Sequence, residues 1–101
     1  MIKKGFYMQD LPPFHSVAMV AAHSPNICYL YIKLWLSKDQ NYEVESPKYK
    51  TKERFCFSYG VFRCLLNELS DLGLLRYREN VTEVIVYLTK PEIKADGKLL
   101  S

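Results

Sequence analysis

Apolar and polar positions along the chain alternate in two rhythms, one close to 3.6 residues and one close to 2. The opening stretch, MIKKGFYMQDLPP, keeps neither, and Pro12-Pro13 closes it, so residues 1–12 read as an N-terminal arm. In PFHSVAMVAAH, residues Phe14, Val17, Ala18 and Ala21 recur at helical spacing, which predicts a short helix with Pro13 in its first turn. SPNICYLYIKLWLSKDQN is the strongest helical segment. Ser24 suits an N-cap and Pro25 the first helical position. Ile27, Leu30, Ile32, Leu34, Trp35 and Leu36 leave it apolar nearly all round, so it is expected to be covered on more than one side.

The rhythm then shortens. NYEVE alternates Tyr42 and Val44 with polar residues, as a short half-buried strand does. SPKYKTKERF repeats the Ser-Pro start and predicts a second short helix from Pro47 to about Arg54, with Tyr49 and Phe55 as inward anchors. FSYGVFRCLLNELSDLGLLRYREN follows. Ser58 is placed to cap a helix to Leu72, Phe62, Leu65, Leu66, Leu69 and Leu72 form one apolar face, and Gly73 stands where a left-handed C-cap residue belongs. LLRYREN and TEVIVYL read as two strands about a turn near Asn80, and Pro91 starts a polar tail at 91–101. The order is helix, helix, short strand, helix, helix, hairpin, an α+β domain without an internal linker.

Composition agrees with one folded domain: 101 residues, 49% hydrophobic and 25% charged. The net charge of +3 permits a polyanionic partner without requiring one. Cys28, Cys56 and Cys64 form no CxxC pair and, with His15 and His23, no zinc spacing. They read as small buried thiols of a reduced protein, so no metal or cofactor is expected. No apolar run is long enough to span a membrane, and the expected compartment is the cytoplasm.

SYGVFRCLLNELSDLGLLRYRENVTEVIVYL resembles the winged helix-turn-helix superfamily, and the resemblance extends over roughly residues 26–90. A serine cap, a helix ending in L-x-E-L-x-x-x-G-L-L and a two-stranded wing carry it, as in MarR-like regulators and in winged helices of phages and plasmids. The resemblance implies DNA binding, with the helix after Ser58 as the recognition helix, though such folds also serve as protein-binding modules.

The residues offer a physical route to the same function. With the leucines inward, Tyr59, Gly60, Arg63 and Asn67 form the outward stripe. Arg can hold guanine, Asn adenine, and Tyr a phosphate or a thymine methyl, while Gly60 lets a backbone approach closely. Lys48, Lys50, Lys52 and Arg54 against the single acid Glu53 offer a phosphate-binding surface, and Arg76 and Arg78 share one face of the wing. Plainer readings stand beside these: a solvated helix face, a soluble basic loop, and arginines paired with Glu79 or Glu83. Glu68 and Asp71 on the recognition helix oppose strong binding by one subunit.

Catalytic constellations are missing. There is no Gly-x-Ser-x-Gly elbow and no phosphate-cradling glycine loop, so the chain does not read as an enzyme. The expected function is that of a small transcriptional regulator, of the kind phages and mobile elements encode. It would act on double-stranded DNA as a homodimer joined through Ile27–Leu36 and the preceding apolar helix. The alternative is a viral or plasmid adaptor, a protein-interaction module anchored by Tyr29, Tyr31, Tyr59 and Tyr77, expected to be exposed.

Overall fold

Ser24 accepts a hydrogen bond from the Ile27 amide at 3.2 Å, and Pro25 follows at the first helical position, so the central helix begins where its local chemistry dictates. The computed structural model describes residues 12–90. The arm, apart from Pro12, and the tail at 91–101 lie outside the described residues. The elements are α1 (Phe14–Ala21), α2 (Pro25–Ser37), β1 (Glu43–Pro47), a 3-10 turn (Lys48–Lys50), α3 (Thr51–Phe55), α4 (Tyr59–Asp71), β2 (Leu75–Glu79) and β3 (Glu83–Leu88).

The chain is α+β, with four α-helices among the described residues and one three-stranded antiparallel sheet in the order β1-β3-β2. The C-terminal hairpin expected from the sequence is present as β2 and β3. The short strand predicted at Tyr42–Val44 joins it, pairing with β3 through Val44 opposite Val86. The turn between β2 and β3 is held by Asn80, whose Oδ1 accepts from the amides of Thr82 and Glu83 at 2.9 and 2.8 Å.

α2 is the hub. Ile27, Leu30, Tyr31, Leu34 and Trp35 are buried within one chain, packed against α1 and α4, which accounts for most of its apolar surface without a partner. Leu36 stays 56% exposed. α4 buries Phe62, Leu65, Leu66 and Leu69 against α2 and the inner face of the sheet. It ends in a Schellman motif: Gly73 has φ +80°, its amide donates to the Ser70 carbonyl, and the Leu74 amide donates to that of Leu69.

The structure corrects several sequence expectations. On α1, Phe14 is 85% exposed and Ala18 and Ala21 are exposed, while Ser16 and Val20 face the core. Two apolar stripes compete on this helix, and the small Ser16 lets the second close onto α2. The helix expected from Pro47 is split by the 3-10 turn, whose tighter winding turns Tyr49 out to 81% exposure and Thr51 inward. Phe55 does anchor α3, with its ring 5.3 Å from that of Phe62. Ser58 takes the N-cap position of α4, but its hydroxyl makes no capping bond. The cysteines are not buried thiols: Cys56 and Cys64 are exposed and Cys28 is half-buried. Their positions lie at a left-handed helix end, on the solvent stripe of α4 and at the rim of α2.

Candidate nucleic-acid interface

Strand β2 has two faces of opposite use. Leu75 is buried, so Tyr77 and Glu79 follow it at period two toward α4, and Arg76 and Arg78 point the other way. The inner residues reach past the core and fasten onto the polar side of α4. The Tyr77 hydroxyl donates to Asn67 Oδ1 at 2.6 Å. The Tyr59 hydroxyl donates to Glu79 Oε1 at 2.5 Å. Arg63 Nε lies 3.0 Å from Glu79 Oε2, and Lys48 Nζ lies 3.2 Å from Glu79 Oε1.

Glu79 is therefore the centre of a four-residue cluster at the mouth of a groove of about 640 Å³ between α4, Lys48 and the hairpin turn. Hydrogen bonds from Tyr59 and Lys48, then the charge of Arg63, hold its carboxyl below the ordinary glutamate range. Burial, reinforced by the bond to Glu79, pushes the Tyr59 hydroxyl well up, so it stays a donor. The charge of Glu79 raises Arg63 further. Lys48 Nζ also sits 5.1 Å from the centre of the Tyr59 ring. Two cations share one carboxylate, which leaves the cluster with one net positive charge.

Of the residues singled out in the sequence, Tyr59, Gly60, Arg63, Asn67 and Lys48 line this groove. Lys50, half-buried at the end of the 3-10 turn, and Lys52, exposed on α3, are not among the residues that line it. Arg54 is engaged elsewhere: its Nη1 donates to the Glu45 carbonyl at 2.7 Å and its guanidinium lies 5.0 Å from the Phe55 ring centre. Arg76 and Arg78 belong to the outer face of the sheet, away from the groove. Arg78 Nε donates to the Tyr87 hydroxyl at 3.0 Å, and neither arginine forms an ion pair with Glu79 or Glu83 among the described residues. Arg63 keeps a side-chain exposure of 53% despite its partner. Asn67 has one lone pair of its carbonyl oxygen engaged by Tyr77, so a bidentate contact to adenine shares that oxygen with the tyrosine.

The sequence alone casts Tyr77 as an exposed anchor and Glu79 as a partner for Arg76 or Arg78, and misses that both fasten onto α4. The signal for both was present in the sequence, since counting by two from an inward Leu75 puts them against α4.

Among the described residues, no group of three His, Cys, Asp or Glu could hold a metal ion, and no helix is long and apolar enough to cross a membrane. No protein-family model, curated protein or solved structure matches the chain.

Proposed function

We propose that the chain is a winged helix-turn-helix domain that binds double-stranded DNA, with α3 and α4 as the helix-turn-helix and the β2–β3 hairpin as the wing. One observation carries the reading: Lys48, the first turns of α4 and the hairpin turn meet around a single groove where two cations share one carboxylate. α4 enters the major groove by its N-terminal half. Gly60, which has no side chain, gives the closest approach, and Arg63 exchanges Glu79 for a guanine edge or a phosphate. Lys48, Lys50 and Lys52 take phosphates beside it. As a regulator, the protein acts by occupying its site and excluding others from it.

Fluorescence anisotropy on a selected duplex and on a scrambled one, at two salt concentrations, tests this. Binding that falls steeply with salt is expected. No binding at low salt ends the reading.

A second reading, a protein-interaction module, is favoured by the rest of the solvent surface of α4. Cys64, Glu68 and Asp71 are exposed there, and Val81 at the wing turn is 90% exposed. Acids repel phosphates, and exposed apolar residues suit a protein partner. A captured partner whose binding is indifferent to salt would select this reading over DNA.

A further inference from the structure

The outer face of the sheet, on the side away from α4, carries an ordered pattern of charge. Register places Glu43, Tyr87 and Arg76 in one row across β1, β3 and β2, and Glu45, Ile85 and Arg78 in the next. Each row therefore reads acid, apolar, base. Two strand spacings, about 10 Å, separate each glutamate from the arginine in its row. The ion pairs among the described residues are those of Glu79 with Lys48 and Arg63, so these four charges do not meet within one chain. The arginines are nonetheless positioned. Arg78 donates to the Tyr87 hydroxyl at 3.0 Å, and the Arg76 guanidinium lies 6.0 Å from the centre of the Tyr87 ring. Ile85 and Tyr87 are half-buried between the charged edges.

We infer that this face pairs with the same face of a second copy of the chain. The charge pattern selects both the occupant and the symmetry. A two-fold axis lying between the two sheets and parallel to the strands reverses the edge order. β1 of each copy then lies over β2 of the other, and β3 lies over β3. Glu43 and Glu45 of each copy face Arg76 and Arg78 of the other in matching rows, and Ile85 and Tyr87 meet their counterparts at the axis, where the two Glu83 side chains at the start of β3 make the one like-charge contact against four opposite-charge ones. Sheets packed face to face lie about 10 Å apart, which glutamate and arginine side chains span together. An axis across the strands sets acid on acid and base on base and is disfavoured. The interface uses neither α2 nor the α4 groove, so it is independent of the DNA reading.

A face of three short strands is a small interface, so association belongs to the weak end of the range, and measurements extend to roughly 1 mM chain. Analytical ultracentrifugation of the full chain is expected to show a monomer–dimer equilibrium that weakens with added salt. The double variant R76E/R78E makes the face wholly acidic, and E43R/E45R makes it basic but for Glu83 at the start of β3. Each is expected to dimerise at least about ten-fold more weakly, and their equimolar mixture to form a heterodimer at least as tight as the wild type. Far-UV circular dichroism checks that both variants fold. Independently of any variant, dilution of the wild type should move the NMR amide signals of Ile85 and Tyr87, leaving those of Phe14 and Leu36 unmoved. A wild type that stays monomeric, folded reversed variants that still dimerise, a mixture that fails to rescue, or dilution shifts confined to α1 and α2 would overturn the inference.

Discussion

Arg63 Nε lies 3.0 Å from Glu79 Oε2, a bond that ties the middle of α4 to the end of β2. The cation best placed to meet a duplex in the proposed complex is thus already matched by a carboxylate from the β2–β3 hairpin. Any polyanion that binds here competes with Glu79 for Arg63 and Lys48. Glu79→Gln keeps the shape and removes the charge, so it is expected to tighten DNA binding and steepen its salt dependence by about one unit. Anisotropy titrations at several salt concentrations measure both. Weaker binding by E79Q would mean that Glu79 contacts a base rather than restraining the cations.

The same cluster sets a pH dependence. The Glu79 carboxyl is held below its ordinary value, first by the Tyr59 hydroxyl and then by Lys48. A group lowered on folding adds stability above its unfolded value, about 4.3 for glutamate. That contribution is lost as pH falls through the lower folded value. An NMR titration of the Glu79 carboxyl carbon should give a midpoint below the ordinary value, and Tyr59→Phe should move it upward. A wild-type midpoint at or above the ordinary value would mean that the cluster does not form in solution.

Core and surface positions separate cleanly by substitution. Leu69 is fully buried where α4 meets the rest of the core, so Leu69→Ala is expected to cost about 2–5 kcal/mol. Phe14, although apolar and on a helix, is almost wholly exposed, and Phe14→Ser should stay within about 0.5 kcal/mol. Chemical denaturation of the two variants checks both values. A large loss at Phe14 would show that something covers α1 in solution.

These two residues also show what the sequence could and could not convey. α2 and α4 were legible because each carries its own punctuation, Ser24-Pro25 before the first and Gly73 after the second, with a long apolar run in α2 and one dominant apolar face on α4. The facing of α1 was not, since Phe14, Val17, Ala18 and Ala21 make as good a stripe as Ser16 and Val20, and only packing against α2 decides between them. Tyr49 was misplaced for a different reason: a 3-10 turn changes the angular step, and nothing in KYK announces one. At the candidate site, the outward side chains of α4 were read correctly as a group. What they touch was not, because a contact between Tyr59 and Glu79, twenty residues apart, depends on how the wing folds back.

The basic segment before α4 divides into two roles. Arg54 donates to the Glu45 carbonyl at 2.7 Å and so ties α3 to β1, whereas Lys52 is exposed. Arg54→Ala is expected to lower stability by roughly 1 kcal/mol. Lys52→Ala should leave stability unchanged and flatten the salt dependence of DNA binding by about one unit. Thermal melts and binding titrations on both variants distinguish the roles. Equal melting temperatures for Arg54→Ala and wild type would remove the structural assignment.

Gly60 separates the needs of the free protein from those of the complex. It lies in the first turn of α4, and a Cβ built there meets nothing within 4 Å, so the free fold has room for a side chain. Alanine loses less backbone entropy in a helix, and Gly60→Ala should stabilise the free protein by about 0.5–1 kcal/mol. In the proposed complex the same methyl group stands between the helix and the duplex, so DNA binding should weaken while the melting temperature rises. Melting and anisotropy on one preparation read both effects. A stabilised variant with undiminished affinity would leave α4 in place as a helix and remove its N-terminal turn from the DNA interface.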